Sequence, residues 1–251
     1  MDAELKWLIP RDEWLHIYGH LIKNKLALSF QLDQKSTSIL SNILSRKSNS
    51  ITVETLFEKI SNRSLAIVAG CADSIYRDLE LLIERTMDPK KRGDILIVSA
   101  NGATKILLDM GITPDLVTTD LDGDLNALVT ASSKGSILAI HAHGDNIDKL
   151  ANVELFNGPL IGTTQVEPLP FVYNFGGFTD GDRAVHILFH AGYRRIALIG
   201  FDFTRVFNCP GEMVKNANTG FSKLEIARHL LKRLIDRGLV LIKPDGEIFD
   251  L

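Results

Sequence analysis

At 251 residues the chain is long enough for one large α/β domain, or for one such domain with a small appendage. Its 45% hydrophobic and 24% charged residues are ordinary for a globular protein. The net charge of −3, with both signs interspersed, excludes the basic stripe of a nucleic-acid binder, and no apolar run approaches the ~20 residues of a membrane span. The segment 1–10 carries Asp2, Glu4 and Lys6 among its apolar residues and does not read as a signal peptide. Cys71 and Cys209 have no metal-ligand spacing, and such sparse cysteine fits a reducing cytoplasm. The expectation is a soluble, cytoplasmic protein with neither nucleic acid nor membrane as partner, and with homo-oligomerisation left open.

Residues 1–60 read as a helical N-terminal region. Trp14, Ile17, Tyr18, Leu21 and Ile22 recur at three- and four-residue steps, and Leu40, Ile43 and Leu44 repeat the pattern. Residues 45–50 read as a loop. From residue 61 to 251 the rhythm changes to an α/β domain. Short apolar runs at 65–69, 95–98, 116–118, 137–140, 160–161 and 196–199 alternate with helical stretches, and 239–242 is a last strand. Continuous apolar runs suit strands buried on both faces. Their alternation with helices predicts a doubly wound, mostly parallel, Rossmann-like sheet. In such sheets ligands gather at the carboxyl ends of the strands, near a switch point.

Taken in order, the strand ends carry the candidate chemistry. After 65–69 comes Gly70-Cys71-Ala72-Asp73-Ser74, a tight turn of low specificity. Neither a Gly-x-Gly-x-x-Gly fingerprint nor a Walker Gly-Lys-Ser/Thr is present. After 95–98, the small residues around Asn101, Gly102 and Ala103 can turn backbone N–H groups toward a phosphate at a helix start, or simply form a turn capped by Asn101. The stretch 111–124, Gly-Ile-Thr-Pro-Asp-Leu-Val-Thr-Thr-Asp-Leu-Asp-Gly-Asp, is the most informative. Asp120 and Asp122 are two apart, so in extended chain they point the same way and can converge on one hard cation. Magnesium uses one or two carboxylates plus substrate phosphates. Gly123 lets the chain turn away, and Asp124 suits a helix cap.

His141-Ala142-His143-Gly144-Asp145-Asn146 follows 137–140. His143 is a candidate phosphate contact and Asp145 a metal or water contact, whereas His141 reads as a hydrogen-bonded core histidine. Residues 174–184, Asn-Phe-Gly-Gly-Phe-Thr-Asp-Gly-Asp-Arg-Ala, run into a helix over 185–191. Gly177 brings backbone close to a ligand, Thr179 or Asp180 can cap the helix, and Asp182 and Arg183 face either a phosphate–metal centre or solvent. In Gly200-Phe201-Asp202-Phe203, Asp202 can accept hydrogen bonds from a heterocycle, or cap a turn between two core phenylalanines.

Asn-Gly-Ala, Gly-Ile-Thr-Pro-Asp and Thr-Asp-Leu-Asp-Gly-Asp resemble the phosphate and metal motifs of thiamine pyrophosphokinases. The whole set is more similar to the archaeal 6-hydroxymethyl-7,8-dihydropterin pyrophosphokinases. It includes Gln165-Val166-Glu167-Pro168, and the resemblance is strong over about 64–204. It implies a thiamine pyrophosphokinase-like sheet and a diphosphotransferase. That enzyme would take ATP and the pterin alcohol as small-molecule substrates and release AMP, on a route to folate- or methanopterin-type cofactors. It further implies Mg²⁺ held by Asp120, Asp122 and Asp145. The catalytic set is then Asp120, Asp122, Asp145, Asp180 and Arg183. ATP and metal would meet Asn101, Gly102, Ala103, Gly123, His143, Gly177, Thr179 and Asp182, and the pterin Asn174, Phe178 and Asp202. Asp145 and Asp180 are both candidates to take the hydroxyl proton. The first turn departs from the Gly-Pro-Ser-like turn of relatives. Only about fifty residues follow Gly200, with a helix expected over 221–237, too few for the β-rich domain of the thiamine enzymes. Thiamine pyrophosphokinase, or a nucleotide-binding module without catalysis, are the competing expectations. Clustered carboxylates argue against the latter.

Overall fold

The computed structural model describes residues 6–86, 94–207, 209 and 217–251. Eight strands form one sheet: β1 (Leu65–Ala69), β2 (Ile95–Ala100), β3 (Leu116–Thr119), β4 (Ile137–Ala142), β5 (Leu160–Thr164), β6 (Val172–Tyr173), β7 (Arg195–Ile199) and β8 (Val240–Ile242). Their order is β6-β5-β4-β3-β2-β1-β7-β8, and neighbouring strands are parallel throughout. The chain winds outward from β1 to β6, then returns to the other side of β1 for β7 and β8. The switch point therefore lies between β1 and β7, and the crevice at their carboxyl ends is the place such sheets offer a ligand.

Two-sided burial explains the apolar runs. Ala66 and Val68 of β1 join one core with Leu188 of α8 (Asp180–His190) and Leu231 of α9 (Ala217–Ile235). The alternate residues Ile67 and Ala69 join another with Leu79 of α5 (Ile75–Thr86) and Leu107 of α6 (Ala103–Asp109). Successive side chains of a strand point to opposite faces, so helices must cover both. α7 (Leu125–Ser133) and a 3₁₀ segment, Gly144–Leu155, complete the crossovers.

The helices before β1 share these cores. α1 (Arg11–Ile17) runs through a π turn (Tyr18–Ile22) into the short α2 (Lys23–Leu26), followed by α3 (Phe30–Leu44) and α4 (Val53–Ile60). Leu40 and Leu44 pack with Leu138 and Leu160 of the sheet, and Leu56 and Ile60 with Val68 and Leu96. Trp14, fully buried, donates its indole N–H to the Gln165 carbonyl at 2.8 Å. The N-terminal region is helical as expected; α3 and α4 are built into the sheet's cores, while Trp14, Ile17 and Ile22 cluster with Val166 and with Ile226 and Leu230 of α9.

Several strands run past their predicted ends. β2 continues through Ser99 and Ala100, β4 through His141 and Ala142, and β5 through Gly162 to Thr164, because backbone pairing continues where the apolar pattern stops. α8 begins at Asp180 rather than Val185. Cys71 and Cys209 form a disulfide with Cα atoms 5.5 Å apart across 138 residues of sequence. The turn after β1 and the segment after β7 meet at the switch point, and the cysteines join there. No helix among the described residues is long and apolar enough to cross a membrane.

Candidate active site

The carboxylates stand at the end of β3. Leu121 adopts φ +66°, so the pair converges through a tight turn rather than along extended chain. Asn101, at the end of β2 with φ +25°, anchors them. Its Nδ2 donates to Asp120 Oδ1 at 3.3 Å and to Asp122 Oδ1, while Thr119 Oγ1 donates to its Oδ1 at 2.7 Å. A Cβ on Gly123 would lie 2.7 Å from that same Oδ1, so the close approach requires glycine here. Asp124 caps α7, accepting from the Ala127 N–H at 3.0 Å, as its position suggested. Asn101 is thus a bracket for the acid pair, and Gly102 takes the helix cap. Ala103, the first residue of α6, is buried in the core.

His143 faces the pair from the end of β4. Its Nδ1 accepts from the Asp145 N–H at 3.3 Å, which leaves the proton on Nε2, 3.7 Å from Asp120 Oδ2. Burial acts to raise the pKa of Asp120, but the adjacent His143 and Asp122 side chains outweigh it and hold the carboxylate well below its usual range. Asn146 is buried and ties the strand ends together. Its Nδ2 donates to the Asp120 carbonyl (2.8 Å) and the His141 carbonyl (2.7 Å), and its Oδ1 accepts from the His143 N–H (3.1 Å). Asp145 sits exposed at the rim.

The loop before α8 forms the opposite wall. Gly177 has φ +77°, and a Cβ there would meet Arg183 Cα at 2.5 Å; its role is close packing on the helix. Thr179 occupies the N-cap position. Asp182 is 1% exposed, and its carboxylate accepts from the N–H of Phe178 and Thr179 (2.7 Å each) and from Thr179 Oγ1. Burial raises its pKa against these bonds. Asp182 therefore holds the loop's shape rather than presenting its charge to a ligand. Asn174 does likewise: fully buried, it donates to the Val166 carbonyl at 3.0 Å and accepts from the Gly176 N–H at 3.0 Å. Arg183 lies buried beneath the loop and donates to the Phe178 carbonyl at 2.8 Å. Burial lowers its pKa, opposed by Asp180, Asp182 and Asp120, so its charge reaches the site from behind.

Two cavities meet across this wall. One, of about 190 Å³, opens at the β1–β7 switch point between the Gly70 and Gly200 turns and is lined by Phe201, Phe203 and Phe207. The other, of about 210 Å³, holds Asp120, Asp122, His141, His143 and Asp145, with Phe178 and Gln165. Thr179, Asp180 and Lys223 line both. Lys223, on α9, has no ion-pair or hydrogen-bond partner among the described residues. Asp202 borders the first cavity, but its Oδ1 accepts from Thr204 N (2.7 Å) and Thr204 Oγ1 (2.6 Å), and its Oδ2 from Arg205 Nε (3.1 Å). Phe201 and Phe203 pack on the core. The turn-capping alternative describes Asp202 here.

Asp120 Oδ1 and Asp122 Oδ1 converge on the Asn101 amide nitrogen, a hydrogen-bond donor that holds the pair together here. Among the described residues no group of three or more His, Cys, Asp or Glu side chains could by itself hold a metal. A pair completed by substrate phosphate oxygens is the arrangement magnesium commonly uses. Sequence reasoning missed Lys223, which lies in no motif, and Leu26 and Leu28, which the N-terminal region contributes to the acidic cavity. Gln165 was visible only as part of a string.

Fold and site define a doubly wound α/β protein with a carboxylate pair in one of two adjoining cavities. The family described as 6-hydroxymethylpterin diphosphokinase MptE-like matches residues 38–206, and the chain belongs to it. A 6-hydroxymethyl-7,8-dihydropterin pyrophosphokinase of Pyrococcus furiosus is 38% identical over 93% of this chain and 96% of its own. Its namesake in Methanocaldococcus jannaschii is 34% identical over 90% and 95%. In fold, the chain is similar to the MAf glycosyltransferase of Magnetospirillum magneticum AMB-1. The TM-score is 0.54 at 16% identity, over 88% of this chain and 38% of that one.

Proposed function

We propose that the chain transfers a diphosphate group from ATP to the hydroxymethyl oxygen of 6-hydroxymethyl-7,8-dihydropterin, releasing AMP, in the supply of folate- or methanopterin-type cofactors. The observation that carries this reading is the shared wall of the two cavities, Thr179, Asp180 and Lys223, with the acid pair on one side. A transfer between two bound molecules needs two adjoining sites and a charged centre where they meet. The printed names of the relatives supply the substrate.

The hydroxyl oxygen attacks the β-phosphorus, the bond from that phosphorus to the oxygen of AMP breaks, and AMP leaves with the electron pair. Asp180 is better placed than Asp145 to take the hydroxyl proton, since it fronts both cavities while Asp145 lies at the rim of one. Magnesium held by Asp120 and Asp122, with Asp145 near the mouth, would offset phosphate charge. Lys223 adds a positive charge at the junction, and the buried Arg183 another from below. Positioning and charge stabilisation supply most of the rate in such transfers. The test is AMP release from ATP and Mg²⁺ with the pterin alcohol or thiamine as acceptor. Release dependent on the pterin alcohol is expected; comparable kcat/KM for thiamine would refute the assignment.

A further inference from the structure

The acidic cavity contains a feature that phosphate chemistry does not use. His141, 4% exposed, is the penultimate residue of β4, in register with Thr163 of β5. Its Nδ1 lies 3.1 Å from Thr163 Oγ1, and that hydroxyl points its proton at the Ile140 carbonyl, 3.5 Å away. Placing the imidazole proton on Nδ1, within reach of that hydroxyl, leaves Nε2 as an acceptor. Nε2 has no hydrogen-bond partner among the described residues. Burial, then the charges of Arg183 and His143, push the imidazole's pKa well below its ordinary value, so it is neutral.

Gln165, 2% exposed, supplies a second acceptor. Its Nε2 donates to Asp33 Oδ2 at 2.7 Å. An ionised carboxylate only accepts, which fixes the amide's orientation and leaves Oε1 for the cavity. Gln165 lies beside His141, close enough to act on the imidazole's pKa, while Nε2 has no hydrogen-bond partner of good geometry among the described residues. Asp33, on α3 and 2% exposed, also accepts from Tyr18 Oη and from the Gly144 N–H, both at 2.7 Å. The N-terminal helices thus clamp Gln165 in place. A buried acceptor without a partner, as His141 Nε2 is, costs stability until a donor arrives, and Gln165 Oε1 beside it can take a second.

We infer that His141 Nε2 and Gln165 Oε1 read adjacent N–H donors on the substrate heterocycle, the amino and ring N–H groups of a pterin's pyrimidine edge, with Asp33 as the positioning residue. The inference rests on the pterin reading above. It moves heterocycle recognition from Asp202, whose carboxylate is engaged by Thr204 and Arg205, into the acidic cavity. There Phe178 and Leu28 can flank a flat ring.

The test pairs a deletion in the protein with one in the ligand. By calorimetry, the wild-type protein should bind the pterin alcohol at least about tenfold more tightly than its 2-desamino analogue, the worth of one buried hydrogen bond. Gln165→Leu should weaken the pterin alcohol by about tenfold and abolish that preference, while the affinity for Mg²⁺–ATP stays within about twofold. His141→Asn keeps a partner for Thr163 but lacks the Nε2 position, and should behave alike if Gln165→Leu does not fold. A preference for the amino group undiminished in a folded variant overturns the inference and leaves the functional reading standing, as does equal weakening of pterin and ATP. A wild-type protein that binds ATP but not the pterin alcohol overturns both.

Discussion

The two cavities differ in what builds them. At the ends of β3 and β4 the working groups are charged and polar side chains from compact strings, Asp120 to Gly123 and His141 to Asn146, held by hydrogen bonds among neighbours. At the β1–β7 switch point the cavity is made of backbone and rings. The Gly70 and Gly200 turns touch so closely that a Cβ on either would meet the other's carbonyl oxygen at about 2.6 Å, and a disulfide bridges the lips. The first region places charge, whereas the second is shaped to fit. A substitution should therefore cost turnover in the acidic region and shape or stability at the switch point.

The largest expected effect tests the acidic side. Asp120→Asn or Asp122→Asn should lower turnover at saturating Mg²⁺ by at least about 100-fold, since each removes both a ligand and a charge. Because the folded protein favours the Asp120 carboxylate, the thermal midpoint of metal-free Asp120→Asn at neutral pH should fall or hold steady rather than rise. Near wild-type turnover in either variant would remove the pair from the chemistry. Next, Lys223→Met keeps the apolar stem and deletes the ammonium. It should reduce kcat/KM about tenfold, the worth of one charge-assisted bond, with the fold unchanged by circular dichroism. An unaltered kcat/KM would make Lys223 a surface residue.

The wall behind α8 offers a pH test. His186 Nδ1 and His190 Nε2 both meet the Phe175 carbonyl, at 3.2 and 3.0 Å. Burial lowers their pKa values to about 3 and about 4. Between those values and about 6.5 the unfolded chain binds more protons than the folded one, so stability falls as pH falls through that window. Calorimetric midpoints should be level above pH about 6.5 and decline toward 4.5, with a shallower decline in His190→Gln. A level profile throughout would mean these imidazoles are not buried in neutral form. The smallest effect is expected at the switch point. Asp202→Asn should change pterin affinity less than about threefold and stability by no more than about 1 kcal/mol, because its carboxylate serves a half-exposed turn. A large selective loss of pterin binding would return heterocycle recognition to Asp202.

Legibility in the sequence follows the same division. The sheet was readable because strands covered on both faces become continuous apolar runs, and Ala66–Val68 and Ile67–Ala69 lie in separate cores. β6, two residues long, carries too little pattern to see. Asp120, Asp122 and His143, each just past the end of a strand, could be singled out as a group, and the structure brings them into one cavity. Asp182 and Asn174 belonged to a motif full of functional residue types, yet their bonds go to loop backbone, a distinction that only three-dimensional placement makes. Lys223 and Asp33 were out of reach because each meets the site from a helix far away in sequence. The disulfide was missed for the same reason: 138 residues separate two positions that the topology of β1 and β7 brings together.

The central claim is that a diphosphate crosses between the two cavities at Thr179, Asp180 and Lys223. Phosphorus NMR of a reaction containing the protein, Mg²⁺–ATP and the pterin alcohol tests it most directly. The account predicts AMP in step with two coupled phosphorus signals on the pterin product. ADP with a single phosphorus on the pterin, the mark of attack at the γ-phosphorus, would contradict it.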